Sequence, residues 1–85
     1  MPDRITEKQG QYLAFIDSYM TMYARAPAEA DLQRFFRSTP PTIHQMILKL
    51  EEKRLISRVP GEARSIKLLL HRKEIPPLKR PERNR

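Results

Sequence analysis

The spacing of large apolar residues changes once along this chain, at Arg54, and that change restricts the folds open to it. Before Arg54 they recur at three- and four-residue steps, the period of a helix. After it come two short runs suited to strands, with turn residues between them. Thr6-Glu7-Lys8-Gln9 has the form of a capping box, so a first helix is predicted to start there. At 100° per residue, Tyr12, Leu13, Phe15, Ile16, Tyr19, Met20, Met22 and Tyr23 share one half of the wheel and are the expected core face. Gln11, Ala14, Asp17, Ser18 and Thr21 fall on the other half. Ala24-Arg25-Ala26-Pro27 interrupts the pattern, because proline lacks an amide donor and biases its predecessor away from helix. A short second helix over 28–36 follows, with Leu32, Phe35 and Phe36 inward and Glu29 and Asp31 in its first turn, where the helix dipole favours negative charge.

Thr39-Pro40-Pro41 is a strong start signal, a hydroxyl N-cap followed by proline where its missing amide costs nothing. The third helix is predicted to run to about Lys53, burying Ile43, Met46, Ile47 and Leu50. Runs 55–59 and 65–70 then flank Pro60-Gly61-Glu62-Ala63-Arg64 as a hairpin. A lone hairpin is marginal in water, so it must lie on the helices through Leu55, Ile56, Ile66 and Leu68. The expected fold is mainly α with a small β-hairpin, a three-helix winged helix-turn-helix.

With 85 residues the chain forms one small domain, since a chain of this size buries only about 60–65% of its unfolded surface. There is no cysteine, hence no disulfide framework and no thiolate nucleophile. Two histidines, His44 and His71, cannot complete a triad or a metal site with the partners available, and two glycines cannot build a phosphate-cradling loop. No enzyme, cofactor, metal or small-molecule ligand is expected. No apolar run is long enough to span a bilayer and the N-terminus has no signal-peptide pattern, so the expected setting is cytoplasmic, at the nucleoid, away from membranes.

The net charge is +7, a balance that favours polyanions. Residues 1–70 hold eleven basic and eight acidic side chains, and 71–85 hold six and two. That last stretch has three prolines and only Ile75 and Leu78 as large apolar residues, so it is expected to be a disordered basic tail following a 1–70 domain.

The third helix carries the candidate site. Its expected solvent face is Pro41, Thr42, His44, Gln45, Leu48, Lys49 and Glu52, and no acid occurs from Ser38 to Leu50. Gln45 can pair bidentately with adenine, His44 can donate to guanine or accept, Thr42 can touch a thymine methyl or a phosphate, and Lys49 suits phosphate. Arg37 and Thr39 lie in the turn, and Arg58, Arg64 and Lys67 on the hairpin, where a wing meets the backbone or minor groove. The expected function is therefore sequence-specific binding of double-stranded DNA by a stand-alone regulator, with a reading helix at about 40–53 and a wing at 56–69. One small module covers only about 600–1,000 Å² of DNA, so a homodimer or cooperative binding is expected, although no dimer interface is legible. The competing expectations are a winged-helix protein-interaction module using Leu48 and the tail, and an RNA-binding accessory protein. The absence of aromatic residues outside the expected core disfavours the latter.

From about Ile5 to Leu69 the chain resembles the N-terminal DNA-binding domain of the bacterial LexA repressors. The resemblance rests on Ile5-Thr6-Glu7-Lys8-Gln9, on Ala26-Pro27, and on Lys53-Arg54-Leu55-Ile56 followed by Gly61, Arg64, Ile66 and Leu68-Leu69. It implies a winged fold whose third helix reads operator DNA without a cofactor. Where those repressors carry Ser-Pro-Asn-Ala-Ala-Glu-Glu-His, this chain has Thr39-Pro40-Pro41-Thr42-Ile43-His44-Gln45-Met46, so different bases should be recognised. The family's glycine between helices two and three stands as Phe36, and its self-cleaving Ser/Lys peptidase domain is not expected. The third helix with its Leu50-Glu51-Glu52-Lys53-Arg54-Leu55-Ile56 end is also similar to MarR-type winged helices.

Overall fold

The computed structural model describes residues 5–79. Helix α1 spans Glu7–Tyr23, α2 Glu29–Phe36 and α3 Pro40–Glu52; strands β1, Ile56–Ser57, and β2, Lys67–Leu68, follow, then a 3-10 turn at Arg72–Glu74. The strands pair antiparallel with Ile56 opposite Leu68 and Ser57 opposite Lys67. This ladder is shorter than the runs suggested. Beyond it the hairpin is held by Leu69 N–H donating to Leu55 O at 2.9 Å, and by Ser65 Oγ, which accepts from Val59 N–H at 2.9 Å.

Local chemistry sets the helix ends. The capping box is formed: Thr6 Oγ1 accepts from Gln9 N–H, and Gln9 Oε1 accepts from Thr6 N–H, both at 3.1 Å. Helix α3 ends in a Schellman turn, with Leu55 N–H on Leu50 O and Arg54 N–H on Glu51 O. Its left-handed residue is Arg54, at φ 62°, instead of the usual glycine. The turn from α2 to α3 uses Arg37 the same way, at φ 54°. That leaves Phe36 free to pack, and its ring stacks on Tyr12 with centroids 4.2 Å apart and planes 3° from parallel.

One core joins all three helices and the hairpin: Tyr12, Leu13, Ile16, Leu32, Ile43, Ile47, Leu50, Leu55, Ile56 and Ile66 are buried. Each such side chain contributes about 1.5–3 kcal/mol relative to exposure, which in a domain this small is the main source of stability. The Tyr12 hydroxyl is buried with no hydrogen-bond partner among the described residues; burial pushes its pKa up, opposed by the nearby Ser38 side chain.

Two expectations are corrected here. Met22 and Tyr23, assigned to the core face, are 72% and 54% exposed, because five residues separate α1 from α2, whose Phe35 and Phe36 pack on Tyr12 and Phe15 in the middle of α1. Ala14, assigned outward, is buried, as are Gly10 and Gln9. For Gly10 the reason lies in the second correction: residues 71–79, expected to begin a disordered arm, run back along α1. Arg72 Nε donates to Asp17 at 3.1 Å and its Nη2 to Thr21 at 3.0 Å, Ile75 packs against the core, and Gln11 bonds both Pro77 O and Lys79 N–H. Pro76 lies on Gly10 so closely that a Cβ there would sit 2.8 Å from Pro76 Cγ. Composition correctly reported few apolar residues, but the polar half of α1 supplied the partners. Residues 80–85 of the expected tail lie outside the described residues.

Candidate nucleic-acid interface

Helix α3 is anchored on one side only. Ile43, Ile47 and Leu50 are buried, while Pro41, Thr42, His44, Gln45, Leu48, Lys49 and Glu52 are exposed. That division follows the 3.6-residue period, and it matches the face expected from the sequence. At the helix start Thr39 caps: its Oγ1 accepts from Thr42 N–H at 3.4 Å, and its hydroxyl donates to Thr42 Oγ1 at 3.0 Å. Both threonine hydroxyls are thus oriented by each other at the exposed N-terminus of the helix. Gln45 and Lys49, one turn apart, make no side-chain hydrogen bond or ion pair with the described residues, and neither do Arg37 and Lys67.

Arg58 and Arg64 depart from their expected placement. Arg58 Nε donates to Glu51 Oε1 at 3.0 Å and its side chain is only 16% exposed. Arg64 turns inward from the wing, donating through Nη1 to Asp31 Oδ2 at 3.1 Å, Tyr19 OH at 3.0 Å and Ala26 O at 3.2 Å. Both guanidiniums find a carboxylate within the fold, so they brace the wing against the helices instead of projecting from it. Lys67 on β2 is the wing cation that remains exposed without an ion pair among the described residues.

Asp31, the third residue of α2, collects these contacts. Besides Arg64 it accepts from Ala28 N–H at 2.8 Å and Arg34 at 2.5 Å, and Tyr19 also bonds it. Burial alone would raise its pKa, but the Ala28 amide, the Arg64 charge, the Tyr19 hydroxyl and the Arg34 charge together hold the carboxyl below its ordinary range. The same contacts, Tyr19 foremost and opposed by partial desolvation, keep the Arg64 pKa raised.

A cavity of about 400 Å³ opens where the wing loop, the start of α2 and α3 converge, lined among others by Glu29, His44, Arg58, Glu62 and Arg64. Here His44 Nδ1 lies 3.2 Å from Glu29 Oε2. The fold thus brings His44, Arg58 and Arg64 to one cavity, while Arg37 and Lys67 do not line it. Glu29, Asp31 and Tyr19 had no place among the expected site residues. Ala28 followed at three residues by Asp31 carried a signal for the cap, the return half of a capping box, but nothing local indicated Arg64 or His44 as partners.

Three helices, a tight turn before the third, and a two-stranded wing packed beside it define a winged helix-turn-helix. No family model matches the chain. It is 35% identical over 72 residues to a LexA repressor of Thermosipho melanesiensis, covering 85% of this chain and 36% of that protein. To the LexA repressor of Thermosipho africanus it is 37% identical over 65 residues, 76% of this chain and 33% of that protein. For the LexA repressor of Geobacter metallireducens the figures are 31% over 70 residues, 81% and 35%. The resemblance to the N-terminal domain of the LexA repressors is thus borne out over most of the chain, which spans about a third of the length of these relatives.

Proposed function

We propose that this chain is a sequence-specific, double-stranded DNA-binding transcriptional regulator that inserts α3 into the major groove. The observation that carries this reading is the face of α3 formed by Pro41, Thr42, His44, Gln45 and Lys49, exposed while the opposite side of the same helix is fully buried. A core-facing helix whose exposed polar face carries no acid from Ser38 to Leu50 is presented rigidly, and rigidity is what base reading requires. Gln45 is the side chain proposed to pair with adenine, Thr42 and Pro41 to meet a thymine methyl or the backbone, and Lys49, Arg37, Thr39 and Lys67 to meet phosphate. Arg58 and Arg64 are proposed to act on DNA indirectly, by holding the wing. The relatives are repressors by name, which favours repression over activation, and the chemistry invoked needs no cofactor.

Binding followed by fluorescence anisotropy at increasing salt should weaken steeply, with a log-log slope of about −4 if about five phosphates are engaged. A flat slope on every duplex tested would overturn the proposal. Replacing Gln45 by alanine should cost about 1–3 kcal/mol of discrimination at one base pair while leaving nonspecific binding in place. Lys49→Ala should instead weaken all sequences alike and make the salt slope shallower by about one unit. Site selection from a random duplex library reads both effects, and the symmetry of the selected sites reports whether two copies bind together.

A further inference from the structure

We propose that Glu29 is a positioning residue that sets the tautomer of His44, so that α3 presents an unprotonated Nε2, a hydrogen-bond acceptor, to the base it meets. This rests on the DNA-reading role of α3 and deepens it. The two residues are fifteen apart, Glu29 opening α2 and His44 on the exposed face of α3, and the helix-turn-helix brings His44 Nδ1 to 3.2 Å from Glu29 Oε2. A carboxylate can only accept, so the ring nitrogen facing it carries the proton. In a neutral imidazole that leaves the lone pair on the other nitrogen.

The remaining charged groups around the pair are Arg58, Glu62 and Arg64, which line the same cavity. Arg58 is taken by Glu51 and Arg64 by Asp31, so among the described residues no guanidinium is paired with Glu29, and its carboxylate is left to the imidazole. Both side chains remain partly open to solvent, His44 by 46% and Glu29 by 36%, so the ring is held at one edge with surface still exposed. An acceptor at Nε2 matches the amino groups of cytosine N4 or adenine N6. A protonated Nε2 would match guanine O6 and N7 or thymine O4. Glu29, which touches no DNA in this proposal, thereby decides which pair of bases His44 favours.

Long-range proton–nitrogen NMR on the free protein at pH 8 reads the tautomer directly. The expected spectrum shows His44 protonated at Nδ1 and bare at Nε2. Glu29→Ala should shift the population toward Nε2–H, and Glu29→Gln, whose amide can accept or donate, should fall between them. In duplex selection at the same pH, the wild type should favour cytosine or adenine at one position. Glu29→Ala should lower that preference by about fivefold while the Gln45 position is unchanged, and His44→Ala should erase it.

An Nε2–H form dominating in the wild type, or an unchanged tautomer and base choice in Glu29→Ala, overturns the proposal while DNA binding stands. Selection of guanine or thymine at the His44 position overturns it equally. Absence of all duplex binding would instead overturn the function proposed for α3 and with it the base-choice half, with the NMR result still reporting on the Glu29–His44 pair by itself.

Discussion

Asp31→Ala is expected to lower the unfolding free energy by about 2–4 kcal/mol, without changing the denaturant slope, when followed by urea titration. Its carboxylate is the common acceptor for the Ala28 amide, Arg34, Arg64 and Tyr19. Alanine would leave the first turn of α2 uncapped and Arg64 with only Tyr19 OH and Ala26 O as partners. Breaking a fully buried pair costs about 3–5 kcal/mol, and the figure is lower here because Arg64 is a third exposed and part of its charge is screened by water. Arg34→Ala should cost under about 1 kcal/mol, since that side chain is 73% exposed.

The pH dependence of this pair follows from the sign of the Asp31 shift. A carboxyl held below its ordinary value of 3.8 binds protons less readily in the folded state than in the unfolded chain. Its contribution is fully present above that value and is lost as the pH falls through it toward the lower folded-state value. The stability gap between wild type and Asp31→Ala should therefore narrow between pH 5 and pH 3. A gap that stays constant would mean that the carboxylate charge has no part in the effect.

Ending the chain after Leu70 is the second large effect, an expected loss of about 2–3 kcal/mol in thermal or urea unfolding. Such a truncation removes the Arg72 bonds to Asp17 and Thr21, the packing of Ile75, and both contacts to Gln11. It also uncovers Gly10, on which Pro76 lies. Hydrogen bonds of this kind contribute about 0.5–1.5 kcal/mol each, and the chain entropy recovered by the released segment offsets part of their sum. Gly10→Val should reproduce much of the loss in the full chain, because its first carbon already meets Pro76 at 2.8 Å. A freely moving arm would leave both variants as stable as the wild type.

The face of α3 was legible because it depends on one period and one cap. Once Thr39-Pro40 marks the start, burial of Ile43, Ile47 and Leu50 dictates that Thr42, Gln45 and Lys49 face out, and the structure has them there. The roles of the arginines were not legible. Arg58 and Arg64 on a basic hairpin look like Lys67, and only the approach of Glu51 and Asp31 separates them. The left-handed turns were equally hidden, since Arg37 and Arg54 occupy positions where glycine is the usual signal.

By itself the sequence determined where the helices begin, the order of helices and wing, and which side of α3 stays in water. Those are properties of neighbours within a turn or two, written in caps, prolines and periodicity. The tertiary structure alone decided which charges are spent inside the molecule, that Glu29 faces His44, and that residues 71–79 cover α1. Each depends on groups seven to sixty-eight positions apart coming within about 3 Å, and composition can count such charges but cannot bring them together.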